Sequence, residues 1–145
     1  MGAGGLAASA NAQMLPPAPP EVAAEIGVCV CLREASERLG AQMSAAIQDR
    51  QRAQDELNRA TADLEAERAR MDVNNPQSVA RFRQLVERRD DLFKQASGRA
   101  TAEAQAATQR YNARVGEYNA RCANRPMDPV LMSRIRPTLT CPPPY

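Results

Sequence analysis

From about Glu21 to Asp72, apolar and small residues recur at alternating steps of three and four. One set holds Cys29, Ser36, Met43, Arg50, Leu57, Leu64 and Met71, and the other Leu32, Leu39, Ala46, Ala53, Ala60 and Glu67. A mean repeat of about 3.5 residues predicts one long helix with a seam made for a second helix. Arg50 and Glu67 are its polar members, and their long stems can cover apolar surface while their ends reach water. The segment Asp72-Val73-Asn74-Asn75-Pro76 stops the pattern. Asn75 fits an N-cap, and Pro76 fits the first helical position, where its missing N–H costs nothing. A second helix is predicted over 76–122, its stripe including Val79, Val86, Ala96, Ala100, Ala107, Tyr111 and Tyr118. Within that stripe Phe82, Phe93, Ala104 and Val115 lie eleven apart, a repeat suited to a nearly straight helix pair.

If the chain reverses near 73–75, facing residues have numbers that add to about 150. Met71 then meets Val79, Leu64 meets Val86, Leu57 meets Phe93, Met43 meets Ala107 and Leu32 meets Tyr118, while Ala53 and Ala96 form a small-residue middle. The expected fold class is therefore all-α: a long antiparallel two-helix hairpin, coiled-coil-like, over residues 21–122. The tail 123–145 carries Asp128 and Pro129 as a helix start and Pro137 as a stop, which predicts a short C-terminal helix over 128–136.

Ahead of the hairpin, residues 13–20 form a Pro-rich stretch expected to be an extended spacer. Residues 1–12 are a small-residue run ending Ala10-Asn11-Ala12, which fits signal-peptide cleavage before Gln13 and reads as the remnant of a secretory signal. Four cysteines in a chain with 3% aromatic residues agree with export, because disulfides persist in the periplasm or outside the cell. The hairpin register selects their pairing. Cys122 falls opposite residue 28 or 29, so Cys29 is expected to bond Cys122, leaving Cys31 for the returning Cys141. In the chain-entropy model each bridge contributes roughly 3 to 5 kcal/mol, stapling the base of a thin fold. A four-cysteine zinc site lacks the usual C-x2-C knuckles, and a C-x-C redox pair at a packed base lacks an exposed thiol.

Composition narrows the chemistry further. The chain has no His, hence neither the commonest general base nor the commonest metal ligand. Net charge is +2, which suggests no nucleic-acid role, and residues 29–72 hold seven basic and nine acidic groups (−2) against nine and five (+4) in 76–122, so the two helices attract. The carboxylate pairs Asp55-Glu56 and Asp90-Asp91 diverge on a helix and have Arg close by, as do ion-paired surface faces. No apolar run reaches the roughly 18 residues of a membrane span, and no phosphate loop, metal cluster or small-molecule site is evident. Neither catalytic residues, cofactor nor metal is expected.

These observations lead to a non-catalytic exported protein, a structural or accessory subunit of a cell-envelope or extracellular assembly. The alternatives are a periplasmic holdase and, less favoured, a thiol redox carrier. Leu85 and Leu92 lie seven apart beside the Val86/Phe93 line and widen the apolar face of the second helix. With Ile47 on the first helix they mark the half nearer the turn as the expected docking surface for another copy or another protein.

Overall fold

The computed structural model describes residues 19–143. Among them every regular element is helical: α1 (Pro20–Arg70), α2 (Pro76–Lys94), a π-helical turn (Gln95–Ala100), α3 (Thr101–Cys122), α4 (Pro129–Ile135) and a closing 3-10 turn (Arg136–Thr138). The small-residue run 1–12 and the spacer as far as residue 18 lie outside the described residues.

Pro20 occupies the first turn of α1, where the absent N–H has no helical partner to lose. The helix then runs for 51 residues, about 75 Å at 1.5 Å per residue. It ends where Met71 takes extended backbone. Side chains close the following turn: the Asp72 carboxylate accepts the Asn74 N–H at 2.9 Å, and the Asp72 N–H donates to Ser78 Oγ at 3.0 Å. Asn75 Oδ1 accepts from the N–H groups of Gln77 at 3.0 Å and Ser78 at 3.4 Å, satisfying two donors of the α2 N-terminus.

From Pro76 to Cys122 the chain is helical without a break, and α1 packs against α2, the π turn and α3. Near the turn Arg81 lies 3.6 Å from Glu67. Farther along, Gly40 sits beneath the Tyr111 ring, with space for an added Cβ only 3.2 Å from Tyr111 Cε2. At the other end Cys29 is bonded to Cys122, and Arg125 reaches Glu25 at 2.6 Å. Every member of the two α1 repeats is buried or half-buried except Arg50, which is exposed. Leu39 and Leu64 are 1% exposed, while Glu67 is buried against Arg70 at 3.0 Å and Arg81.

The second stretch departs from the eleven-residue reading. Phe93, expected opposite Leu57, is 56% exposed, and the half-buried residue at that level is Leu92. Before the π turn Ser78, Val79, Phe82, Leu85, Val86, Arg89 and Leu92 are half-buried, Ala96 at its start is buried, and Phe82, Leu85, Arg89, Leu92 and Ala96 among them follow steps of three and four. At its end and after it Ala100, Thr101, Ala106, Thr108 and Tyr111 are half-buried, and the fully buried positions, Ala104 and Ala107, are displaced by one residue from the earlier series. The physical reason lies in α1, whose seam repeats every 3.5 residues without interruption. A partner with a repeat of 3.67 would drift off that seam, whereas heptads on both sides of one extra residue stay on it. A π turn holds one extra residue by lengthening the hydrogen-bonded loop. Within it the Thr101 hydroxyl donates to the Ala96 carbonyl, five residues back, at 2.7 Å. Arg99, where an unbroken heptad would place a seam residue, has its side chain 81% exposed.

Beyond Cys122 the Asp128 carboxylate caps α4 by accepting the Val130 N–H at 2.8 Å, and α4 packs on α1. The tail then crosses buried Gly27, where an added Cβ would stand 2.9 Å from Leu139 Cδ2. That close approach carries Cys141 to Cys31.

Candidate functional site

The chemistry-bearing side chains gather at the end where α1 begins. Cys29–Cys122 and Cys31–Cys141, the pairings the register singles out, have Cα separations of 5.8 and 5.3 Å, and no cysteine is free. Cys29 and Cys122 are 1% and 2% exposed inside a cluster with Leu32, Val28, Tyr118 and Met127, whereas Cys31 and Cys141 are half-buried. Attack by a thiolate needs an accessible atom, so the enclosed Cys29–Cys122 bridge is the more protected of the two.

Two open grooves flank the same end. One, of about 740 Å³, lies between Val22, Ile26 and Val28 of α1 and the Arg125–Met127 connection. The other, of about 440 Å³, runs between Ala24, Val28 and Leu32 and the tail at Leu139 and Pro142. Their walls are mainly aliphatic, with Glu25–Arg125 on the rim of the first and Arg114–Glu117, at 2.9 Å, on the rim of the second. Among the described residues no group of three or more His, Cys, Asp or Glu could hold a metal, and every buried side-chain N or O has a hydrogen-bond partner. Both carboxylate pairs noted in the sequence are exposed, and Asp90 pairs with Arg89 at 2.8 Å.

The residues proposed for docking divide. Leu85 and Leu92 are half-buried at seam positions, in step with Phe82, Arg89 and Ala96, so α1 itself covers part of their surface. Ile47 is 39% exposed. The residue missed from sequence is Phe93, whose ring lies outside the seam. A heptad count run through Phe82, Arg89 and Ala96 would have found it, because that count places Phe93 one step beyond Leu92, on the flank.

Those flanks differ in chemistry. Where two antiparallel helices meet, the positions following each seam residue on one side line one flank, and those on the other side line the opposite one. One flank carries Asp49, Glu56 and Asp63 of α1 and Arg81 and Arg88 of α2, all exposed. On the other, the groove beside Ile47 is lined by Ala104, Gln105, Thr108, Gln109 and Arg50. Toward the base the same flank shows Gly40, Tyr111 and Val115 beside Arg33 and Glu37.

No helix among the described residues is long and apolar enough to cross a membrane. Comparison with protein-family models, with curated proteins and with solved structures finds no match.

Proposed function

We propose that this chain is an exported, non-catalytic antiparallel helical hairpin, coiled-coil-like and stapled at its base, that serves as a structural or accessory subunit of a cell-envelope or extracellular protein assembly. The observation that carries the reading is the pair of disulfides, spanning 93 and 110 residues of sequence. Bridges over such separations remove about 4 to 5 kcal/mol of unfolded-chain entropy each, comparable with the whole stability of a small domain, so a thin pair of helices depends on them. They persist where thiols are not kept reduced, which supports a periplasmic or secreted location. Contacts of Glu67 with Arg81, Gly40 with Tyr111 and Glu25 with Arg125 support the hairpin, because each pair of numbers adds to about 150.

A long helical pair fixed at one end is suited to holding proteins at a set distance. Its hydrophobic surface supports docking in preference to chemistry: Ile47 and Phe93 stand out from the shaft, and Val73 is 72% exposed at the turn. The test is native mass spectrometry of the chain purified from its own cell envelope or medium without reductant. A complex of fixed stoichiometry is expected. Recovery only from the cytosol with four free thiols would overturn the proposal, and transient binding to many unfolded clients would replace it with a holdase.

A further inference from the structure

Along the chain the first cysteine pairs with the third and the second with the fourth: Cys29 bonds Cys122 across 93 residues, and Cys31 bonds Cys141 across 110. Each has a nearer neighbour. Cys29 and Cys31 lie two residues apart, and Cys122 and Cys141 lie 19 apart. The thin hairpin depends on its bridges, so in the reduced chain loop closure directs pairing more than the fold does. Closure falls with about the 3/2 power of loop length, and the 19-residue loop closes roughly 10-fold more readily than either native one. The Cα atoms of Cys29 and Cys31 are never more than about 7 Å apart, and in a chain delivered N-terminus first both meet an oxidant before Cys122 arrives.

That local pairing cannot form the hairpin. Two residues apart on α1, Cys29 and Cys31 are rotated by about 200°, and side chains that point apart are not bridged unless the backbone moves. Their surroundings differ accordingly: Cys29 is enclosed with Leu32 and Tyr118, while Cys31 is half-buried and meets the tail. A Cys29–Cys31 bridge therefore breaks α1 at the turn that anchors the base. Once Cys122–Cys141 has closed as well, all four sulfurs are used, and no thiolate of the chain remains to attack either bond.

We propose that the chain is a substrate of a thiol–disulfide isomerase, which converts this local pairing into the native one. The partner's thiolate attacks Cys29 Sγ, the Cys29–Cys31 bond breaks, and Cys31 leaves as a thiolate. Cys31 then attacks Cys141 Sγ, which forms Cys31–Cys141 and releases Cys122 as a thiolate. Cys122 attacks Cys29 Sγ, which forms Cys29–Cys122 and returns the partner's thiolate. Two disulfides enter and two leave, so nothing is oxidised or reduced overall.

This takes from the proposed function only an oxidising compartment, and refolding of the purified chain needs no envelope component, so either can fail alone. The reduced full-length chain is diluted from denaturant into native buffer with diamide, an oxidant that leaves no thiol, and followed by non-reducing peptide mapping and circular dichroism. Cys29–Cys31 with Cys122–Cys141 is expected as the main product. A catalytic amount of reduced protein disulfide isomerase is expected to convert it to the native pairing at least about 10-fold faster than the same enzyme with its active-site cysteines replaced by serine. Cys31→Ala with Cys141→Ala leaves only Cys29 and Cys122, and is expected to form Cys29–Cys122 at the same rate with or without the enzyme. Native pairing as the main product of diamide alone, conversion equally fast with the inactive enzyme, or a double variant that still needs the active one overturns the proposal.

Discussion

Deleting Gly98 should leave the molecule folded and slightly more stable, although a one-residue deletion inside a helix ordinarily rotates everything on one side of it by about 100°. The π turn Gln95–Ala100 is where the returning stretch holds one residue more than α1's heptads can use. With Gly98 gone, Ala96 and Ala104 stand seven apart, and Phe82, Arg89, Ala96 and Ala104 form one unbroken series. Gly98 has open space around it and no positive φ, so nothing in the backbone requires glycine there. A helix-interior glycine costs about 1 kcal/mol relative to alanine. Removing it is expected to raise the melting temperature by roughly 3 to 5 °C. The control is deletion of Gln84, an exposed residue of regular α2, which turns Val79 and Phe82 off the seam and separates Arg81 from Glu67. Loss of two half-buried side chains costs about 3 kcal/mol. Thermal melts of both variants, oxidised and followed by circular dichroism, decide the matter. Equal destabilisation by the two deletions would refute the assignment of the extra residue to the π turn.

Three further outcomes follow from particular contacts. Glu67 is buried on the seam against Arg70 and Arg81, so Glu67→Leu is expected to raise stability by about 1 kcal/mol, and Glu67→Ala to lower it, in urea denaturation; a less stable Leu variant would contradict this. Because Cys31 and Cys141 are half-buried while Cys29 and Cys122 are almost fully enclosed, graded dithiothreitol with acid trapping should open Cys31–Cys141 first, as read by peptide mapping. Gly27→Val places side-chain atoms where Leu139 now sits and should speed reduction of Cys31–Cys141 several-fold without changing Cys29–Cys122; equal rates in parent and variant would show that Leu139 does not hold the tail.

Much of this arrangement was legible in the residues because α1 repeats without interruption: a seam of Cys29, Leu32, Leu39, Leu57 and Leu64 has one face and one period. Asn75-Pro76 and Asp128-Pro129 mark their helix starts by side-chain chemistry alone. Phe93 was misread for a physical reason. Between Phe82 and Ala104, three heptads with one extra residue and two eleven-residue repeats differ only in where that residue is absorbed, and Ser97-Gly98 carries no local sign that it is absorbed there. Leu85 and Leu92, read from sequence as widening the apolar face, are half-buried, as is Val86 between them. The two flanks, by contrast, become visible once the helices are placed side by side, since the halves of each lie far apart in sequence.

We propose that the chain is an exported hairpin held by two bridges at its base. Acid quenching of the cells that make it, blocking of free thiols, and non-reducing peptide mapping of the recovered chain test that claim directly. The expected result is an extracytoplasmic protein with Cys29 joined to Cys122 and Cys31 to Cys141. Free thiols at these positions, or a Cys29–Cys31 bridge, in protein recovered from outside the cytosol would contradict it.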